Sequence, residues 1–205
     1  MSAPRIAVVD YGIGNLRSAE KALQHLGADA ALTSEPTDIE RADGVVLPGV
    51  GAFGACMRAL RTAGLEPVTR AAAGDGRPFL GICIGMQMLF DGSDESPDVD
   101  GLGVVAGRVT KLPERERLPQ IGWNTLDVTA GSRLCAQLPD PPWLYFVHSY
   151  APEPADDGVV AAWCVYGRRF AAAIERGSVW ATQFHPEKSG EVGLRLLRNF
   201  VEAAA

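Results

Sequence analysis

From Phe79 to Cys83 the chain reads FLGIC, and at Gly85 it passes into GMQMLF, where the period of the apolar residues changes. A strand apolar at nearly every position belongs deep inside a parallel sheet covered on both faces. The rest of the first half keeps this rhythm. Segments 5–10 (RIAVVD), 28–34 (ADAALTS) and 43–51 (DGVVLPGVG) have strand character. Segments 14–27, 52–64 and 65–74 have helical spacing. In the first helix Leu16, Ala19, Leu23 and Leu26 share a face, Gly27 is a stop signal, and His25 falls on the polar side. Alternating strands and helices predict a doubly wound, mostly parallel α/β sheet. Ligands of such sheets bind at the carboxyl ends of the strands. Both glycine-rich loops, 48–51 and 81–85, fall at such ends.

The second half reads differently. An acidic, polar loop at 91–101 has no assigned role. Segments of β type then follow at 102–112, 120–129, 143–151, 159–167, 168–177 and 178–187, and the chain closes on a helix at 189–204 behind a Ser–Gly–Glu cap signal. The expectation is a mixed or antiparallel extension of the same sheet, with residues 1–205 as one domain. A net charge of -6 without a basic stripe argues against a nucleic-acid partner. The four cysteines, Cys56, Cys83, Cys135 and Cys164, lack metal-site spacing, so no metal is expected. No apolar run approaches the roughly 20 residues of a membrane helix. The opening MSAPRIAVVD enters a strand-like run almost at once, so no secretory leader is expected. A cytoplasmic protein with reduced thiols is expected.

The chemistry begins at Cys83. Gly81, Cys83 and Gly85 form G-x-C-x-G at a strand-to-helix junction, where a nucleophile on a sharp turn needs small neighbours. The helix N-terminus there favours a thiolate. The competing reading, a small buried hydrophobe, holds for most lone cysteines. A thiol nucleophile needs a base. His185 lies in TQFHPEKS after an apolar strand, and Pro186 fixes a backbone angle between His185 and Glu187, so the carboxylate can orient the ring. Read alone, that tripeptide fits a surface turn equally well. Gly49, Val50 and Gly51 could turn backbone N–H groups toward a developing oxyanion, with the Ile84 N–H as second donor.

These pieces in this order resemble the class I, triad-type glutamine amidotransferases. VVDYGIGNLRS, LPGVGAF, FLGICIGMQML, IGWN, FVHSY and TQFHPEKSG are similar to the glutaminase subunits of imidazole glycerol phosphate synthases. The resemblance implies a flavodoxin-like doubly wound sheet and hydrolysis of glutamine through a cysteine thioester. It implies Cys83 as nucleophile, His185 as base and acid, and Glu187 as orienting partner. Gln87, His148, Ser149 and Tyr150 would hold the glutamine. No cofactor is implied. The implied partner is a HisF-type (β/α)8-barrel cyclase subunit that receives ammonia. Asn15, Trp123 and Lys188 sit in motifs near that interface, although Trp123 would serve equally as a core residue and Lys188 as a solvated cation. Three rivals are a pyridoxal phosphate synthase glutaminase, a cysteine peptidase on the same plan, and a binding module that has lost its chemistry. VHSY, GWN and DYGIGNLRS oppose the first, Gln87 with the His-Pro-Glu terminus the second, and the intact Cys83, His185 and Glu187 set the third.

Overall fold

The apolar run at Phe79 forms the centre of the sheet. Phe79, Leu80 and Ile82 are at most 2% exposed, and each buried side chain of this kind contributes about 1.5–3 kcal/mol. The structure, a computed structural model, describes residues 3–205, so the first two residues of the opening segment lie outside it. The first half alternates as expected: β1 (Arg5–Val9), α1 (Leu16–His25), β2 (Asp29–Thr33), α2 (Pro36–Arg41), β3 (Gly44–Gly49), α3 (Phe53–Thr62), α4 (Glu66–Ala72), β4 (Phe79–Cys83) and α5 (Ile84–Met88). The short helix α2 was not anticipated. It has one buried apolar residue, Ile39, and so shows no helical period.

The second half supplies β5 (Gly92–Ser93), β6 (Gly107–Lys111), β7 (Gln120–Thr125), β8 (Asp127–Val128), β9 (Trp143–His148), β10 (Tyr150–Pro154), β11 (Val160–Tyr166), β12 (Arg168–Arg176), β13 (Val179–Thr182) and α6 (Gly190–Ala203). The main sheet has the order β2-β1-β3-β4-β13-β12-β11-β8. Strands β2, β1, β3, β4 and β13 are parallel, whereas β12, β11 and β8 extend the sheet antiparallel. The antiparallel extension is the expected one, but not every strand of the second half joins it. Strands β10, β6 and β5 form a separate three-stranded sheet, and β7 with β9 forms a two-stranded ribbon. Their pairings are between distant segments, which local strand patterning does not reveal.

Parallel register sets the carboxyl ends of three strands side by side. Gly49 at the end of β3 pairs with Cys83 at the end of β4, and Thr182 at the end of β13 pairs with Ile82. Positions 49, 83 and 185 meet for this reason although they are far apart in sequence. Among the described residues no helix is long and apolar enough to cross a membrane.

The packing around β4 depends on glycine. A Cβ on Gly85 would run into the Leu47 carbonyl oxygen, and one on Gly81 would stand 2.9 Å from the Gly85 carbonyl oxygen. Backbone cannot yield there as a flexible side chain can. Gly85→Ala should lower the free energy of unfolding by about 1–3 kcal/mol, read from the urea midpoint. An unchanged midpoint would mean that α5 is not seated tightly on β3.

Candidate active site

Cys83 leaves β4 with φ 56 and ψ -111. Among the described residues only one other non-glycine residue, Gln137, has a positive φ. This is a strained backbone for a side chain, costing on the order of 1–3 kcal/mol, and such strain concentrates at functional sites. Ile84 follows as the first residue of α5, so its N–H has no partner within the helix. The turn expected from G-x-C-x-G is therefore present, although α5 is short.

Cys83 and Ile84 line a cavity of about 560 Å³. Val50, Gly51, Gln87, His148, Ser149, Tyr150 and His185 share it, and Asn15 and Lys188 border it. Gly49 does not line it. That glycine lies beneath, where a Cβ would come within 2.9 Å of the Gly85 nitrogen and of Ile84 Cβ.

His185 Nδ1 donates to Glu187 Oε1 at 2.8 Å, and both side chains are 2% exposed. The carboxylate thus fixes the tautomer and leaves Nε2 as the reactive nitrogen. Nε2 makes no hydrogen bond. Burial works against the charged ring, but the neighbouring Cys83 sulfur and the Glu187 carboxylate outweigh it and raise the pKa to about 9. The sulfur is near enough to influence the ring, yet the resting alignment stops short of a hydrogen bond at Nε2. Asn15 Nδ2 also donates to Glu187 Oε1, at 3.1 Å. Expected near a subunit interface, Asn15 is tied to the carboxylate behind the histidine.

Gln87 spends its amide nitrogen on the Tyr150 carbonyl and on Gln183 Oε1, each at 3.0 Å. Gln183 Nε2 in turn approaches Cys83 Sγ at 3.8 Å. A buried relay therefore runs from the strand at Tyr150 to the sulfur. His148 is packed edge-on against Phe170, and its Nδ1 lies 2.8 Å from the Tyr150 carbonyl. A carbonyl only accepts, so Nδ1 carries the proton and Nε2 is a bare, buried acceptor. Burial, then the charges of His185 and Arg168, lower its pKa to about 4, against the opposing bond to Tyr150.

Three contributors escaped the sequence reading. Glu95, inside the acidic loop, lines the cavity and accepts the Phe53 N–H at the start of α3 at 2.7 Å. Gln183 is one residue removed from the recognised His-Pro-Glu. Ser189 is not the side-chain cap that was expected for α6. Its hydroxyl donates to the His185 carbonyl at 2.6 Å and accepts the Tyr145 N–H at 3.0 Å, pinning the turn that carries His185. Trp123 is 52% exposed, so it is not a core residue. With Ile121 and Trp143 it forms an apolar outer face on the β7–β9 ribbon, while Lys188 is exposed at the cavity rim. Among the described residues no cluster of His, Cys, Asp and Glu could hold a metal ion.

A strained cysteine facing a histidine–carboxylate pair defines a class of thiol-dependent enzyme. The family model for glutamine amidotransferase class-I matches residues 7–204, and the chain belongs to that family. Within it the chain stands with the HisH subunits of imidazole glycerol phosphate synthase. It is 51% identical to the imidazole glycerol phosphate synthase subunit HisH of Methanothermobacter thermautotrophicus, over 96% of this chain and 98% of that protein. It is 50% identical to the subunit of the same name from a Synechococcus species, over 100% and 95%. Among solved structures, PurLQS from Thermotoga maritima superposes with a TM-score of 0.76 at 21% identity, covering 98% of each chain, and shares the fold.

The two cavity histidines should titrate in opposite directions. Between about pH 5 and 8, nitrogen-detected NMR should find His148 neutral with its proton on Nδ1 and His185 cationic. The depressed His148 pKa contributes stability above the unfolded value of 6.5 that is lost as pH falls through about 4. The raised His185 pKa contributes stability below 6.5 that is lost as pH rises through about 9. A His148 midpoint at its ordinary value, or a proton on its Nε2, would contradict this assignment.

Proposed function

We propose that this chain, as one domain spanning residues 1–205, is the glutaminase of a cytoplasmic imidazole glycerol phosphate synthase. The reading is that it releases ammonia from glutamine and passes it to a (β/α)8-barrel cyclase in a heterodimer. The cyclase would use it to make imidazole glycerol phosphate and an aminoimidazole carboxamide ribotide in histidine biosynthesis. The observation that carries the reading is Cys83 at positive φ beside a His185–Glu187 pair, in one cavity bordered by an exposed apolar ribbon.

In the proposed reaction the proton of the Cys83 thiol already resides on His185 Nε2, and Cys83 Sγ attacks the side-chain carboxamide carbon of glutamine. The tetrahedral oxyanion takes hydrogen bonds from the Ile84 and Val50 N–H groups, and the glycines beside Val50 let that N–H turn inward. His185 returns the proton to the departing nitrogen, so ammonia leaves and a glutamyl thioester remains. Water, deprotonated by His185, then releases glutamate and frees the Cys83 sulfur, with the proton again on His185 Nε2. Glu187 holds the ring and offsets its charge without taking the proton. Glu95 is the carboxylate on the substrate side of the cavity and suits the α-ammonium of glutamine. The wall built by Gln87, His148, Ser149 and Tyr150 holds the rest of the substrate.

The outer face of β7 and β9 supports a protein partner. A cluster of large exposed apolar side chains marks an interaction surface, and the same ribbon supplies Val147 and His148 to the cavity wall. A subunit seated there would seal the cavity, and sealing keeps ammonia from being protonated and lost to water.

Glutamate release should be weak for the chain alone and rise sharply with the cyclase subunit and its ribotide ligand. Strong activity indifferent to the cyclase would move the chain to another glutaminase reaction. Cys83→Ala should abolish glutamine-dependent turnover while ammonia-dependent cyclisation in the complex survives. Trp123→Ala should weaken the complex by about 2 kcal/mol, roughly 30-fold in Kd, measured by calorimetry. An unchanged Kd would remove Trp123 from the interface.

A further inference from the structure

Beneath the loop at 48–51 lie two buried donors that the mechanism above does not use. The Tyr11 hydroxyl, just after β1, donates to the Pro48 carbonyl at 2.7 Å. The Cys56 thiol, on α3, donates to the Val50 carbonyl at 3.3 Å. Both side chains are buried. Burial, followed by the proximity of Cys56, holds the Tyr11 phenol above its ordinary pKa, and burial raises the Cys56 thiol. Each therefore remains a protonated donor at neutral pH.

A trans peptide points its C=O and N–H in opposite directions. With the Pro48 carbonyl held by Tyr11, the Gly49 N–H is directed away from that hydroxyl. With the Val50 carbonyl held by Cys56, the Gly51 N–H is directed away from that thiol. Among the described residues no side chain tethers the peptide between them, Gly49–Val50. Gly49 is packed so closely against Gly85, Ile84 and the Tyr11 hydroxyl that a Cβ there would stand 2.9 Å from each. Gly51, at φ +90, gives the far end of the loop a backbone that a larger residue would resist.

We propose that Tyr11 and Cys56 are positioning residues that fix the two peptides on either side of Gly49–Val50, so that this peptide alone is free to turn its N–H toward the oxyanion. The inference rests on the glutaminase reading, because only a reaction with an oxyanion gives that orientation a consequence. Neither residue touches the substrate. Both act through the backbone between Pro48 and Gly51, and a donor displaced by about 1 Å can cost on the order of 100-fold in rate.

The test uses the chain with the cyclase subunit and its ligand. Tyr11→Phe and Cys56→Ala each remove a donor, whereas Cys56→Ser keeps one. In the first two, kcat for glutamate release should fall about 10- to 100-fold with KM for glutamine unchanged. Cys56→Ser should retain kcat within about threefold of the parent. Alkylation of Cys83 by iodoacetamide, a displacement that develops no oxyanion, should proceed at the parent rate in all three variants. An undiminished kcat in Tyr11→Phe and Cys56→Ala would overturn the proposal. So would a Cys56→Ser variant as slow as Cys56→Ala, or slowed alkylation, because either would mark a packing role. The parent complex separates the two levels of inference. Parent turnover with unaffected variants defeats the tethers alone, and a parent complex that releases no glutamate defeats the glutaminase reading with them.

Discussion

At Cys83 the chain turns from strand to helix through a backbone region that residues with side chains avoid, and the site depends on the close approach that holds this turn. Gly85 sits where a Cβ would strike the Leu47 carbonyl oxygen, so α5 is pressed directly against β3. Gly49 is pressed from the other side against the start of α5. The sulfur, the Ile84 N–H and the loop at Val50 are thereby gathered at the ends of two neighbouring strands. The strain at Cys83, on the order of 1–3 kcal/mol, is sustained by burial of every residue from Phe79 to Phe90.

Around that turn the buried polar groups are arranged unequally. Most are satisfied within the protein. Gln87 bridges Tyr150 and Gln183, Ser189 bridges His185 and Tyr145, and Asn15 shares Glu187 with His185. His185 Nε2, His148 Nε2 and Gln87 Oε1 have no partner, although each is buried. An unpaired buried polar atom costs about 1–3 kcal/mol. All three belong to residues lining the same cavity, whereas Glu187 Oε2, equally buried and unpartnered, lies behind His185 and outside that lining. Polar capacity has been left open where a polar substrate would lie, and Nε2 of His185 is the atom that the proposed proton transfers need.

Much of this was legible in the sequence, and the failures have physical causes. The first half is built from local contacts between consecutive elements, so strand-helix alternation and glycine stops located β1, α1, β2, β3, α3, α4 and β4. The elbow was readable because both glycines are required by close backbone approach. The His-Pro-Glu tripeptide was readable because its members touch at a separation of two residues. Strand pairing in the second half was hidden, since β5 with β6 and β7 with β9 are brought together by tertiary packing. Glu95 resembled the other solvated carboxylates of its loop, and only the fold brings it onto the α3 N-terminus and the cavity. Ser189 carried a genuine cap signal, but its hydroxyl is used on the His185 turn instead.

The proposed chemistry rests on Cys83 alone, among four buried cysteines, acting as a nucleophile aimed at the side chain of glutamine. Treating the chain, in complex with its cyclase and ligand, with a diazoketone analogue of glutamine and mapping the product by peptide mass spectrometry tests this directly. One adduct per chain, on Cys83, is expected, and excess glutamine should suppress it. An adduct on Cys56, Cys135 or Cys164, or labelling that glutamine does not suppress, would contradict it.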